Sequence, residues 1–201
     1  MNLELKDKYF IVCGASSGFG KSIAMNLLNE GANIIAIARN KEKLTQLYEN
    51  QQKVQIIPAD LTDTKTSDII INTIKDREIN GIVVNSGGPP AKSFNETELK
   101  DWDHAYESLL KWKVNLVQQL LPFLEIQKSS RVLFIESTAV KQPVENLMLS
   151  TSLRLAVVGY SKFLAMEYAD KGVTSNVLAP GFHLTPAVER VFEAKSKKKG
   201  I

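Results

Sequence analysis

Residues 14–20 read Gly14-Ala15-Ser16-Ser17-Gly18-Phe19-Gly20, set between an apolar run, Tyr9-Phe10-Ile11-Val12-Cys13, and a helical pattern carried by Ile23, Ala24, Leu27 and Leu28. A glycine loop joining a strand to a helix is a phosphate site. The start of the helix presents unpaired N–H groups and the positive end of its dipole, so a pyrophosphate is held without dedicated cationic side chains. The Gly-x-x-x-Gly-x-Gly spacing is one residue wider at the front than the commonest dinucleotide fingerprint, so the rest of the chain has to carry the reading.

Outward from this loop, short apolar runs alternate with longer helical patterns. Strands are predicted near 8–13, 33–38, 54–58, 81–85, 131–136 and 173–179, and helices near 19–30, 41–52, 64–78, 98–127 and 146–171. That alternation predicts an α/β fold: a doubly wound, Rossmann-type parallel sheet of about six strands with helices on both faces. Asn33 to Ala38 and Arg131 to Ile135 are nearly continuous in apolar residues, as strands covered on both faces are. Gly31, Gly81 and Gly172 each fall just before a strand, where a helix ends and the chain turns.

At 201 residues with 44% apolar content, the chain closes one core and is short for two, so a single domain over 1–201 is expected. The net charge of +3 is mild, and Lys195, Lys197, Lys198 and Lys199 have no aromatic residues among them. They read as a solvated tail, and no nucleic-acid partner is expected. Cys13 is the single cysteine and lies in an apolar strand, which excludes an internal disulfide and indicates a small buried residue. No run approaches the roughly 20 apolar residues of a membrane span. The expected setting is a reducing cytoplasm, with no membrane partner and no metal site.

In such sheets the ligand sits beyond the carboxyl ends of the strands. There the chain places the glycine loop, then Ala59-Asp60-Leu61, Asn85-Ser86-Gly87-Gly88, Glu136-Ser137-Thr138 and Ala179-Pro180-Gly181. In this order and register, over residues 8–186, the segments resemble the short-chain dehydrogenase/reductase family. The resemblance implies a nicotinamide dinucleotide held by Gly14, Ser16, Ser17, Gly18, Phe19 and Gly20 around the phosphates, and by Asp60 and Leu61 at the adenine. Asn85, Ser86 and Gly87 would pack on the adenosine ribose, and Pro180, Gly181 and Thr185 would meet the nicotinamide. Read from the residues alone, the alternative for Asp60, less favoured than the adenine role, is to cap a helix with Asp63 and Thr64 nearby, and Thr185 could cap one ahead of Pro186. After the second strand stands Ala38-Arg39-Asn40. With no acid to take a ribose hydroxyl and a guanidinium able to grip a phosphate, Arg39 favours NADP over NAD.

The catalytic half departs from the family pattern. Ser137 matches the family serine, with Thr138 beside it. At the family spacing where a Tyr-x-x-x-Lys pair is expected stand Ser150, Thr151, Ser152, Leu153 and Arg154, so Ser150 replaces the tyrosine and Arg154 the lysine. Leu109 aligns with the family asparagine, Asn115 lies more than a turn beyond it, and Tyr160 and Lys162 come too late. The tyrosine's general-acid work is worth roughly 10²- to 10⁴-fold. Arginine, always protonated, could hold ribose hydroxyls as Arg154 but could not relay a proton. His104 reads as a surface residue; His183, directly after Gly181, borders the expected pocket. The two prolines of Gly87-Gly88-Pro89-Pro90 would stiffen the pocket wall or simply stop the strand.

The expected function is an NADP-dependent oxidoreductase acting on a small carbonyl or alcohol, with Ser137, Ser150 and Arg154 at the reacting end. The alternatives are an inactive NADP(H)-binding sensor and a partner subunit. Helices near 98–127 and 146–171 carry enough apolar residues (Leu116, Leu120, Phe123, Leu155, Val158, Phe163) for a core stripe and an outward one. A homodimer or homotetramer through them is expected. Family members continue past a substrate-covering segment, here Pro186 to Ala194, into a last strand and helix; with the sequence stopping at Ile201, either a truncated version or a fragment is expected.

Overall fold

The computed structural model describes residues 2–75, 77–127 and 129–185. The expected segment Pro186 to Ala194 and the lysine-rich stretch lie outside these residues. Six strands, β1 (Tyr9–Cys13), β2 (Asn33–Ala38), β3 (Val54–Pro58), β4 (Ile79–Asn85), β5 (Ser130–Ile135) and β6 (Val173–Leu178), form one sheet in the order β3-β2-β1-β4-β5-β6. Every neighbouring pair is parallel. The strand order reverses between β1 and β4, and in a sheet of this kind that is where a crevice opens at the carboxyl ends.

The apolar runs are continuous because both faces are covered. In β1, Ile11 and Cys13 join one buried cluster while Phe10 and Val12 join the other; in β2, Ile35 and Ile37 face opposite to Ile34 and Ala36. The first cluster packs under α3 (Thr64–Ile74), α5 (Trp112–Ile126) and α6 (Met148–Glu167) through Ile70, Ile74, Leu116, Leu120, Val157 and Leu164. The second packs under α1 (Gly18–Asn29) and α2 (Lys41–Tyr48) through Ala24, Leu44 and Tyr48. Each large aliphatic side chain so buried contributes about 1.5–3 kcal/mol. Among the described residues no helix is long and apolar enough to cross a membrane.

Two expectations need correction. Gly81 does not end a helix: it lies inside β4, and a Cβ there would sit 2.7 Å from the Arg131 carbonyl oxygen of β5 and 3.1 Å from the Phe10 ring. Glycine is set by strand packing there. Gly31 and Gly172, with φ of +82° and +76°, do turn the chain into strands as expected.

The helix expected over 98–127 is three pieces: α4 (Leu99–Tyr106), a π-helical turn over Glu107–Lys111, and α5. A π turn carries one extra residue and rotates the helix that follows it. Ala105 and Leu109 face inward before it, and Trp112, Lys113, Leu116, Val117 and Leu120 after it. A lysine therefore enters the apolar stripe.

Candidate functional site

The glycine loop turns where β1 ends. Gly14 and Gly18 have φ of +67° and +52°, conformations that side chains other than glycine rarely adopt. A Cβ on Gly20 would fall 2.3 Å from the Gly14 carbonyl oxygen, so α1 can start this close to the loop only with glycine there. Ser17 precedes α1 in an extended conformation, and its hydroxyl does not cap the helix. The first amides of α1 are thus left for a ligand, which is how a helix start binds phosphate.

The loop is held from two sides. Tyr48, at the end of α2, donates its hydroxyl to the Ala15 carbonyl at 2.7 Å, and burial pushes its phenol up to about 12, so it remains a donor. Asn85, at the tip of β4, lies against Gly14 and donates through Nδ2 to the Cys13 carbonyl at 3.4 Å. Sequence reasoning missed Tyr48; its signal is an aromatic residue closing a short helix, at i+4 from the apolar Leu44.

Next to Asn85, the Ser86 hydroxyl is buried with no hydrogen-bond partner. A methyl group added to Gly87 or Gly181 would meet nothing within 4 Å, and one added to Gly18 would meet the Thr185 methyl at 3.5 Å. A buried orphan hydroxyl, uncapped helix amides and open approaches at two glycines fit an extended, hydrogen-bonding ligand laid across the carboxyl edge of the sheet.

At the far end of that edge, Asp60 does not cap α3: Asp63 does, accepting from the Lys65 amide. Asp60 instead accepts from the Thr62 amide at 3.0 Å and its hydroxyl at 2.8 Å, and lies 4.0 Å from Arg39. Burial works to raise its carboxyl, but the two Thr62 bonds and the Arg39 charge outweigh this and hold it below the ordinary carboxylate value. Arg39 leaves the tip of β2 with its side chain 81% exposed. Leu61 packs at the margin of the core.

At the other end, two backbone bonds tie the segment after β5 to the end of β6 and the residues that follow it: Glu136 N–H to Leu178 O at 2.8 Å and Thr138 N–H to Pro180 O at 3.0 Å. Pro180 and Gly181 are thereby placed beside Ser137. Ser137 Oγ accepts from the Ala139 amide at 3.2 Å, which leaves its own proton to donate. Ser150 and Arg154 lie one turn apart on a buried face of α6, with Arg154 Nε donating to Ser150 Oγ at 3.1 Å. Both flank the loop after β4: a Cβ on Gly88 would be 3.7 Å from Arg154 Nη2 and from Ser150 Oγ.

Arg154 also reaches inward. Its Nη1 donates to Glu136 Oε2 at 2.8 Å and to the Ile135 carbonyl at 3.4 Å, while Glu136 Oε1 takes Lys113 Nζ at 2.6 Å. The Lys113 and Glu136 side chains are 0% exposed, and that of Arg154 is 8%. Sequence reasoning missed this Lys113–Glu136–Arg154 bridge. Its signals were an acid directly after the apolar run of β5 and a lysine at inward spacing from Leu109, Leu116 and Leu120.

The remaining candidates lie apart. His104 is exposed on α4. His183 is exposed, with Nδ1 3.0 Å from the Gly181 carbonyl oxygen and its ring edge-on to Phe19 at 5.2 Å. Leu109 is fully buried, and Asn115 donates to Ser67 on α3. Tyr160 packs edge-on against Phe134 with its phenol pushed up to about 12 by burial, lower on the sheet than Ser137.

The profile of the short chain dehydrogenase family matches residues 8–196. An uncharacterized oxidoreductase of Staphylococcus aureus strain MW2 is 30% identical over 200 residues, covering 97% of this chain and 86% of that protein. A short-chain dehydrogenase structure from Streptomyces avermitilis superposes with a TM-score of 0.85 at 27% identity, covering 90% of this chain and 68% of that one. The L-sorbose reductase of Gluconobacter frateurii, solved with NADPH and L-sorbose, superposes at 0.90 with 23% identity, covering 100% of this chain and 79% of that one, and shares the fold.

Burial holds the Lys113 ammonium down, at about 8 against an ordinary 10.5, although Glu136 opposes the shift. The unfolded chain therefore binds more protons between those values, and this lysine makes the fold gain stability as pH rises from about 8 to about 10.5. The buried Cys13, Tyr48 and Tyr160, all held up near 12, act in the opposite sense at high pH, so the difference between proteins isolates the lysine. Urea midpoints of wild type and Lys113→Met across this range should show the gain only in the wild type; parallel pH profiles would contradict the assignment.

Proposed function

This chain belongs to the short-chain dehydrogenase family, and from that premise we propose that it is an NADP-dependent oxidoreductase interconverting a small carbonyl and its alcohol. The observation that carries the reading is the glycine loop, with the uncapped start of α1 and the orphan Ser86 hydroxyl beside it. On this reading, the amides of Gly18, Phe19 and Gly20 hold the pyrophosphate, with the Ser16 and Ser17 hydroxyls beside them. Asp60 and Leu61 border the adenine, Asn85, Ser86 and Gly87 the ribose, and Pro180, Gly181 and Thr185 the nicotinamide. Arg39 would hold the 2′-phosphate: its guanidinium is exposed, no acid stands at the tip of its own strand β2, and its acidic neighbour Asp60 is 4.0 Å away. The sorbose reductase, of the same fold, carries NADPH.

The bound nucleotide supplies or accepts the hydride; the chain positions the oxygen. Ser137 accepts from the Ala139 amide and Ser150 accepts from Arg154, so both hydroxyl protons are left to donate to one substrate oxygen. Neither serine replaces the general acid that a tyrosine with its pKa brought down provides. The oxygen is therefore stabilised by two hydroxyl donors and the fixed charge of Arg154, and its proton comes from water admitted at the exposed Gly87-Gly88 loop.

Assembly is part of the proposal. Leu116 and Leu120 are buried in the core, whereas Leu155, Phe163 and Met166 are exposed along α6, and an added methyl at Gly159 would meet nothing within 4 Å. This outward stripe is read as the face on which two copies of the chain meet. Phe163→Glu should convert the oligomer to monomer in light-scattering chromatography; an unchanged mass would place the interface elsewhere.

Calorimetry with NADPH and NADH, joined to absorbance at the reduced-nicotinamide band against a panel of ketones, aldehydes and sugars, tests the main reading. Arg39→Ala should weaken NADPH binding by about tenfold and leave NADH nearly unchanged. Ser137→Ala should lower kcat by roughly 10²-fold with nucleotide affinity intact. NADPH binding with no turnover across the panel would favour the sensor reading, and no binding of either nucleotide would overturn the proposal.

A further inference from the structure

The buried bridge holds two cations against one carboxylate. Lys113 and Glu136 are sealed, so the unbalanced charge can meet a ligand only through Arg154. The guanidinium is fixed by three bonds, from Nε to Ser150 and from Nη1 to Glu136 and the Ile135 carbonyl; Nη2 takes part in none of them. That nitrogen faces the exposed loop at Gly88, where an added methyl would lie 3.7 Å from it, while at the neighbouring Gly87 an added methyl would meet nothing within 4 Å. A buried cluster with one cation in excess is disfavoured, and an anion delivered to Nη2 relieves it.

We propose that this bridge sets substrate class: the Lys113–Glu136–Arg154 cluster presents one net positive charge at Arg154 Nη2 beside Ser150, and the site takes a carbonyl substrate that carries a carboxylate. The proposal rests on the oxidoreductase reading and adds the charge of its substrate. Glu136 is a positioning residue that holds the guanidinium in register with Ser150. Lys113 is a positioning residue of a second kind: it offsets the Glu136 charge, so that Glu136 does not cancel Arg154. The groups facing Lys113 are Cys13 from β1, Glu136 from the turn after β5 and Arg154 from α6, with the Trp112 ring of its own helix 6.0 Å away. When Lys113 loses its proton, the cluster falls from net +1 to neutral.

The Gly88 loop explains why such a charge does not collapse inward. Arg154 already satisfies the Glu136 Oε2 and Ile135 carbonyl acceptors, so the free edge of its fork points away from the acid. A carboxylate meeting that edge makes charge-assisted hydrogen bonds from a guanidinium that loses no further side-chain freedom. An uncharged ester of the same shape makes weaker ones.

The test is calorimetric titration of the NADPH-loaded protein with acetoacetate and with methyl acetoacetate, a pair matched except for charge. NADPH affinity is measured first, so that a failure of the cofactor reading is seen separately; if NADPH does not bind, the pair is titrated into the protein alone. Near neutral pH the wild type should bind acetoacetate about tenfold tighter than the ester. The preference should fade as pH rises through about 8, where Lys113 titrates. Lys113→Arg, which stays charged, should keep the preference and lose its pH dependence, and Lys113→Met should lose both. Should Lys113→Arg fail to fold, the wild-type pH profile and Lys113→Met decide. Equal binding of the pair, preference for the ester, or no acetoacetate signal at millimolar concentration would each overturn the proposal, while leaving intact an NADPH-dependent activity on neutral carbonyls.

Discussion

One carboxylate, that of Glu136, joins three elements that the sequence keeps apart. It follows the last residue of β5, takes the ammonium of α5 and takes the guanidinium of α6. Without it, two cations would remain buried side by side, an arrangement that costs about 3–5 kcal/mol when a buried pair is broken from one side. The bridge is weak evidence for stability, since well-packed apolar residues of similar volume often do as well. Its consequence is geometric: α5 and α6 are held at the carboxyl end of β5, where Ser137 turns, and the charge of Arg154 is aimed along Ser150 toward the Gly88 loop.

The two ends of the crevice are built by different physics. The end proposed for the phosphates is made of backbone: positive-φ glycines, a helix start left uncapped, and two side chains, Tyr48 and Asn85, that hold the loop by its carbonyls. On the proposed reading the reacting end is made of side chains, serines and an arginine at the positions where the resemblance would place tyrosine and lysine. Losing a titratable phenol removes an acid; gaining a permanently charged, buried fork adds an electrostatic anchor. Transition-state stabilisation by fixed charge and hydroxyl donors is the kind of catalysis such residues can provide.

The sheet and the loop were legible in the chain because each rests on local pattern. Strands covered on both faces are continuous apolar runs, and the boundaries of β2 and β3 coincide with those expected, the others differing by one or two residues. Asp60 was ambiguous between cap and ligand until Asp63 was seen to do the capping. What escaped the reading depends on tertiary register. The π turn at Glu107–Lys111 has no breaker residue to mark it, although Lys113 beyond it does stand at inward spacing from Leu116 and Leu120. Gly81 looked like a helix stop because nothing in the sequence reveals how closely β4 and β5 approach. The Glu136 bridge joins residues 23 and 18 positions apart, beyond the reach of any periodicity.

The account turns on where a nucleotide lies along this edge. A crystal structure of the protein grown with NADPH should show the pyrophosphate on the amides at the start of α1, the 2′-phosphate at Arg39, and the nicotinamide ring facing Ser137 and Ser150, with Arg154 still bound to Glu136. A nucleotide lying elsewhere, or one whose nicotinamide is turned away from the two serines, would contradict it.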